Sequence, residues 1–191
     1  TLDYLGFNKV LNFDTDAIPY QNVLEYLDRF PDSDIIATTG TFPKNIHSKW
    51  GFTLCMGVLE LRNSPNMKYF WDELANMTRN KARIDDQVLI NHILNKHNIT
   101  WEFPPQESNL VMNENPKLLI NGTTLHGYTV TALSAEKFCR KTCTRDTSHV
   151  IVHHPWPRQN IDKRLLKTSW ETIVSKTSLK SIEVLRAISN I

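Results

Sequence analysis

The chain has 191 residues and a net charge of +2, from 22 basic and 20 acidic side chains. An apolar fraction of 40% is typical of a folded domain, and the mixed, balanced charges do not indicate a surface for nucleic acid. The longest mostly apolar stretch, residues 52–59, is too short to cross a bilayer, and no membrane anchor is expected within this chain.

Patterns typical of strands and helices alternate along the first half of the chain, which predicts an α/β sheet. Residues 10–13 read as a buried strand, residues 23–27 as a short helix and residues 34–39 as a second strand. The β-prone stretch 50–61 contains Gly57, where we expect a bend or a close approach of another backbone.

Helical spacing returns after Ser64-Pro65, which predicts a helix start with Ser64 as the N-cap. A second helix is predicted over residues 85–97. Strands are predicted next, and two of them are joined as a possible hairpin through Asn121-Gly122. They are followed by a short helix, a late strand and a helical tail. The remaining predicted segments are the strands 100–103, 117–120, 124–131 and 149–152, the helix 134–139 and the tail 168–191.

The first motif with chemical potential is Asp14-Thr15-Asp16, directly after the first strand. Side chains alternate along a strand, so both carboxylates would point one way and Thr15 the other. Two adjacent like charges favour a cation between them, and oxygen ligands suit Mg²⁺ or Mn²⁺. An acidic turn without a metal is the simpler alternative.

A second motif begins the helix at residue 85. Asp85 fits the N-cap, and Asp86 precedes apolar residues spaced so that it would lie on the inward stripe beside Gln87. An inward carboxylate needs partners, and substrate hydroxyls would serve. Backbone amides near a buried Asp86 would serve equally.

A third motif is His153-His154 at the end of the late strand, followed by Lys163. An imidazole can complete a carboxylate-bound metal site, and a lysine can neutralise a diphosphate. Surface histidines and a solvated lysine are the alternative.

Three cysteines do not make a disulfide framework. Cys55 reads as a small buried residue, whereas Cys139 and Cys143 are either bridged or reduced. Three Asn-x-Thr motifs are present, about the number expected by chance for this composition, so they do not establish secretion.

In order, these motifs resemble the nucleotide-diphospho-sugar transferases, glycosyltransferases with the GT-A fold. The resemblance rests on four motifs: the strand that ends in D-x-D, the glycine-containing strand that leads to Ser64-Pro65, the D-Q-x-x-x-N start of a helix over residues 85–91, and His153 with downstream Lys163. It implies an α/β fold, a GT-A-like mixed sheet flanked by helices, with residues 1–167 in the transferase domain and 168–191 as a helical tail. Because D-x-D arrives at position 14, we expect the N-terminal β/α region of such a domain to be absent.

The same resemblance implies a role for each motif. Asp14, Asp16 and His153 would hold Mn²⁺ or Mg²⁺. Donor contacts would come from Asp14, Thr15, Gly57 and Lys163. Asp86 and Gln87 would face the transferred sugar as catalytic residues. The implied partners are a nucleotide-diphospho-sugar donor and a glycan or glycoprotein acceptor, and the implied compartment is the Golgi lumen.

Two other functions fit part of the sequence. Phosphatases of the haloacid dehalogenase type also carry D-x-D after an early strand, with the first Asp as nucleophile. That reading leaves His153 and Lys163 without a role. A catalytically inactive, sugar-binding GT-A module is the non-enzymatic alternative.

Overall fold

The computed structural model describes residues 7–14, 17–79, 85–103, 119–133, 135–140 and 150–153, with only the backbone described at Arg140, Val152 and His153. Thr15, Asp16, Lys163 and the predicted tail 168–191 lie outside these ranges, as does the predicted domain boundary at residue 167.

Nine strands and four α-helices occur in the described ranges, with all four helices before the last five strands. The strands are β1 Lys9–Phe13, β2 Ala17–Pro19, β3 Ile35–Gly40, β4 Thr53–Arg62, β5 Thr100–Trp101, β6 Ile120–Thr123, β7 Thr129–Leu133, β8 Phe138–Arg140 and β9 Ile151–His153. The helices are α1 Val23–Leu27, α2 Lys44–Trp50, α3 Lys68–Thr78 and α4 Asp86–Lys96, with a 3₁₀ turn, Pro65–Met67, leading into α3.

Six of these strands form a mixed sheet in the order β1-β4-β3-β7-β6-β5. The β3–β7 pair is parallel and the other pairs are antiparallel. A smaller sheet has the order β2-β9-β8. The predicted α/β architecture, a mixed sheet flanked by helices, is confirmed.

Apolar side chains on the two faces of the large sheet belong to separate cores. Ile35 and Ala37 of β3 pack with helices α2, α3 and α4 on one face, whereas Ile36 between them packs with α1 on the other. This alternation is the period-two pattern of a strand that is covered on both sides.

In the long strand β4, the side chains that point to a given face of the sheet change between even-numbered and odd-numbered residues near Gly57. Ala37 of β3 pairs with Leu59, but the next residue, Thr38, pairs with Cys55, so three residues of β4 have no partner on β3. Because this number is odd, the inward and outward faces of β4 exchange across the irregularity. Met56 therefore packs in the core beneath helices α2, α3 and α4, and Val58 packs in the core beneath α1. The predicted bend at Gly57 is confirmed.

The predicted hairpin through Asn121-Gly122 is wrong. Both residues lie inside β6, and the chain turns at Thr124–Tyr128, where Gly127 adopts a positive φ of 79°. Gly122 has a different reason to be glycine. A Cβ there would lie 2.6 Å from Cε3 of Trp101, whose ring covers this position.

Four other predictions need correction. The start of the stretch 50–61 is helical, because Trp50 ends α2, a helix that the sequence reading missed. The helix predicted over 134–139 is wrong for its described part, because residues 135–137 form a turn and Phe138 begins β8. β1 is a half-buried strand at the edge of its sheet and not a buried one. Ser64 does precede the 3₁₀ turn, but its side chain makes no capping hydrogen bond.

The cysteines are now partly assigned. Cys139 is disulfide-bonded, so the prediction that left it bridged or reduced is resolved, and Cys55 is buried as expected. Cys143 lies outside the described residues. None of the helices within the described ranges is long and apolar enough to cross a membrane.

Candidate functional site

Asp14 lies one residue beyond β1 and is fixed through its backbone to β4. Its N–H donates to the carbonyl of Gly57 at 3.0 Å, just after Phe13 pairs with Val58. Its own carbonyl accepts from the N–H of Ala17 at 2.9 Å. β1 ends at Phe13 and residues 15 and 16 lie outside the described ranges, so the expectation that the two carboxylates point the same way stays a prediction.

The smaller sheet brings the late histidine to the same region. Strands β2 and β9 pair antiparallel, with Ala17 opposite His153. Ala17 is the residue after Asp16, so two motifs separated by more than 130 residues in sequence meet through this pairing. The side chain of His153 and all of Asp16 lie outside what is described.

The two carboxylates are of the ligand type that Mg²⁺ and Mn²⁺ prefer, and the added imidazole favours Mn²⁺, the softer of the two ions. Within the described side chains, which leave out Asp16 and His153, no three acidic, histidine or cysteine groups lie together as metal ligands. The fit to a cation therefore rests on the donor types and on the β2–β9 pairing.

Helix α4 begins at the second motif. The carboxylate of Asp85 accepts from the N–H of Val88 at 2.9 Å, which confirms Asp85 as the N-cap. Asp86 is exposed, so its predicted position on the inward stripe is wrong. Its Oδ1 accepts from the N–H of Gln87 at 2.7 Å. In the first turn of a helix a carboxylate is stabilised by the helix dipole without being buried.

Asn91 joins α4 to β4, a role that the sequence reading missed. Its side-chain amide is fully buried and makes two bonds with one backbone residue: Oδ1 accepts from the N–H of Leu54 at 2.9 Å, and Nδ2 donates to the carbonyl of Leu54 at 2.8 Å. Nδ2 also donates to the carbonyl of Gln87 at 2.7 Å. The amide thus pairs with β4 as a neighbouring strand would. The available signal was a polar residue four positions after Gln87 that lies between the apolar pairs Leu89-Ile90 and Ile93-Leu94.

Gln87 reaches from α4 to the loop after β3. Its Nε2 donates a short hydrogen bond to the carbonyl of Phe42, which also accepts from Oγ1 of Thr53 at 2.8 Å. The ring of Phe42 is 50% exposed beside the start of α4. Two hydrogen bonds therefore fix the backbone of Phe42, while its aromatic ring faces solvent.

These contacts share one edge of β4. β1 pairs with β4 as far as Val58, Asp14 follows at Gly57, and Asn91 continues the edge at Leu54. Three residues of extended strand span roughly 10 Å, so Asp14 and the start of α4 are within the reach of one extended ligand.

A family model of nucleotide-diphospho-sugar transferases matches residues 4–165. The chain belongs to this family. No curated protein matches the chain, and no solved structure does. Its mixed six-stranded sheet with flanking helices is consistent with a GT-A-like transferase domain.

In this nucleotide-diphospho-sugar transferase, Asp14 contacts Gly57, and the backbone of His153 pairs with Ala17 three residues after Asp14. Gln87 lies at the start of α4, which Asn91 joins to β4. Thr15, Asp16 and Lys163, which the sequence assigned to the same site, lie outside the described residues. Phe42 and Thr53, like Asn91, had no role in the sequence reading, because their contacts are set by the packing of the β3–α2 loop against α4.

The other end of α4 in this transferase carries a separate polar cluster. Nδ1 of His97 hydrogen-bonds the hydroxyl of Tyr128 at 2.9 Å, and the ring of His126 lies edge-on to His97 and stacks on Tyr69. Burial, and then the nearby His126, lower the pKa of His97, while burial raises the pKa of Tyr128. The helix is 11 residues long, so roughly 15 Å separates this cluster from the start of α4.

Proposed function

We propose that this chain transfers a sugar from a nucleotide-diphospho-sugar to a hydroxyl group of a glycan or glycoprotein, with Mn²⁺ or Mg²⁺ held by Asp14, Asp16 and His153. Membership of the nucleotide-diphospho-sugar transferase family supports a glycosyltransferase-type activity. The observation that carries the metal assignment is the β2–β9 pairing, with Ala17 opposite His153 and Asp14 fixed to Gly57 nearby.

The proposed reaction exchanges one bond at the anomeric carbon. Its bond to the diphosphate oxygen breaks, a bond to the acceptor oxygen forms, and the acceptor proton is released. A divalent cation, when bound, neutralises negative charge on the departing diphosphate. Asp14, Thr15 and Gly57 bind the donor, Lys163 contacts its diphosphate, and Asp86 and Gln87 orient the transferred sugar as the catalytic residues.

The exposure of Asp86 supports its proposed role better than a buried position would. An exposed carboxylate at a helix start can accept hydrogen bonds from sugar hydroxyls while its Oδ1 keeps the bond from the N–H of Gln87. Gln87 is already bonded to the carbonyl of Phe42, which limits the directions in which its side chain can point. Its carboxamide oxygen is the acceptor proposed to face the sugar.

The acceptor is proposed to approach past Phe42. Its ring is exposed, apolar and held by a backbone that two hydrogen bonds fix, one of them from Gln87 of the proposed sugar site. Rigid aromatic faces contribute large contact areas to binding sites. The order along this side of the sheet is then Asp14 for the diphosphate, the start of α4 for the transferred sugar, and Phe42 for the acceptor.

The decisive experiment measures Mn²⁺-dependent binding of a panel of nucleotide-sugars by thermal shift and calorimetry. Asp14→Asn and Asp16→Asn are each expected to abolish the metal-dependent binding and keep the fold. Asp72→Asn, an exposed carboxylate paired with Lys68 on α3, is the matched control and should bind like the wild type. Unchanged affinity in both test variants would refute the metal assignment.

Turnover distinguishes the remaining functions. Release of nucleoside diphosphate that depends on an added acceptor supports a transferase. Hydrolysis of small phosphomonoesters that Asp14→Asn blocks would instead support the phosphatase alternative. Donor binding without any turnover would identify an inactive sugar-binding module.

The Golgi lumen is proposed as the compartment. The disulfide at Cys139 supports an oxidising compartment of the secretory route, where such bonds form and persist. Protection of the tagged chain from added protease in sealed membrane vesicles tests this proposal. Digestion without detergent would contradict it.

A further inference from the structure

Three Asn-x-Thr motifs begin at Asn76, Asn98 and Asn121, and the fold presents them differently. We propose that Asn98 is the N-glycosylation acceptor of this chain. Such an acceptor needs an accessible Asn amide and a hydroxyl two residues later, and it belongs on the surface of a chain in the secretory route. The three local geometries separate the candidates.

Asn76 is exposed, but it lies inside helix α3. Residues two apart on a helix do not face the same way, so one enzyme cannot grip Asn76 and Thr78 together in the folded chain. The hydroxyl of Thr78 is also turned to the helix backbone, where it donates to the carbonyls of Leu74 at 2.8 Å and Ala75 at 3.2 Å. The folded helix does not present this motif.

Asn121 lies in β6, between β5 and β7. Its Nδ2 donates to both carboxylate oxygens of Glu102 at 3.2 Å, and its Oδ1 accepts from the hydroxyl of Thr131 at 2.8 Å. A glycan on Nδ2 would disturb a side chain that already bridges two neighbouring segments. The sheet therefore disfavours this motif.

Asn98 leaves the end of α4 in a left-handed turn with φ of 50°. Asn98 and Thr100 are both exposed, and the Asn98 side chain makes no hydrogen bond within the described part of the chain. Asn tolerates the left-handed conformation better than most residues, so helix termination alone could explain it. The test below separates these two explanations.

The position of Asn98 is compatible with the proposed transferase. It lies just beyond the end of α4 opposite to Asp86, roughly 15 Å along the helix axis from the start of the helix. A glycan there leaves the donor side of the sheet open. The disulfide at Cys139 is independent support for passage through an oxidising lumen.

The modification requires a lipid-linked oligosaccharyl diphosphate as the co-reactant. The bond between the anomeric carbon and the diphosphate oxygen breaks, and a bond from that carbon to Nδ2 of Asn98 forms. The amide loses one proton, and the lipid diphosphate is the leaving group. No oxidation or reduction is involved.

The test is expression of the chain behind a secretion signal in eukaryotic cells, followed by digestion with an N-glycan-specific endoglycosidase. We expect a mobility shift of one glycan. Thr100→Ala should abolish the shift without touching Asn98, and Thr100→Ser should keep it. Asn98→Gly should abolish the shift and preserve the left-handed turn, so the unfolding midpoint of the deglycosylated chain should not change.

Thr78→Ala and Thr123→Ala are the matched controls, since they remove the other two motifs. Neither should alter the shift. The proposal is overturned if the wild type shows no shift, if the shift persists in Thr100→Ala, or if either control loses a glycan.

Discussion

The two hydrogen bonds between the Asn91 side chain and Leu54 of β4 can be tested by replacing the amide nitrogen with oxygen. Asn91→Asp keeps the shape of the side chain and an oxygen to accept from the N–H of Leu54. It removes both donations, so the carbonyls of Leu54 and Gln87 would face a carboxylate oxygen. We expect strong destabilisation at neutral pH.

The magnitude follows from burial. Asn91 and Leu54 are both fully buried, so water cannot replace the lost donor. A buried charge without compensation costs about 3–5 kcal/mol, a large part of the roughly 5–15 kcal/mol that stabilises a domain. The site would favour the protonated acid, so its pKa in the folded state would exceed the unfolded value. Stability of the variant should therefore increase as pH falls, because the folded state then binds the extra proton.

Urea unfolding at pH 7 and pH 5 provides the assay. Asn95→Asp is the matched control on the same helix, because its Oδ1 accepts from the ammonium of Lys49 at 2.7 Å and a carboxylate there gains an ion pair. Asn95→Asp should change stability by less than about 1 kcal/mol. A similarly small, pH-independent effect of Asn91→Asp would refute the assigned hydrogen bonds.

Three further predictions concern other parts of the chain. The lowered pKa of His97 means that its contribution to stability is complete above the unfolded value of about 6.5 and is lost as pH falls from there through the lower folded pKa, so urea unfolding of His97→Gln should show a flatter pH profile. Gly122→Ala should cost about 1–3 kcal/mol in the same assay, because its Cβ would displace the ring of Trp101. Phe42→Ala should raise the acceptor KM about three- to tenfold and leave the donor KM unchanged. Tyr69→Ala, a similarly exposed ring at the far end of α4, should change neither, and equal effects of the two would contradict the acceptor proposal.

The parts of the fold that the sequence predicts well are those set by local patterns. The helix Val23–Leu27 and the N-cap at Asp85 agree with the prediction because capping and apolar spacing act within one or two turns. Gly57 marks the irregularity in β4 because a glycine within a strand commonly accompanies a bulge. The order of the motifs indicated the family that the family model then matched.

The parts that the sequence does not predict depend on distant contacts. Asn121-Gly122 is a strong local turn signal, yet Trp101 covers Gly122 and the turn forms at Gly127 instead. The inward position expected for Asp86 was extrapolated from apolar spacing, which does not hold in the first turn, where the side chain reaches solvent. The partner of Asn91 is a backbone group 37 residues away, and no local pattern encodes it.

A physical reason for the length of β4 emerges from these contacts. β4 has ten residues, and its edge away from β3 is divided into two halves. One half pairs with β1, and the other half bonds the Asn91 side chain of α4. The irregularity at Gly57 occurs where these halves meet, so the edge is interrupted beside Asp14 and resumed at Leu54 by the amide of Asn91. Loss of the Asn91 bridge should then release the start of α4 first and leave the β1–β4 pair intact. Hydrogen exchange of Asn91→Asp should show faster exchange in the first turn of α4 than in β1, and equal acceleration in both would contradict this division of the strand.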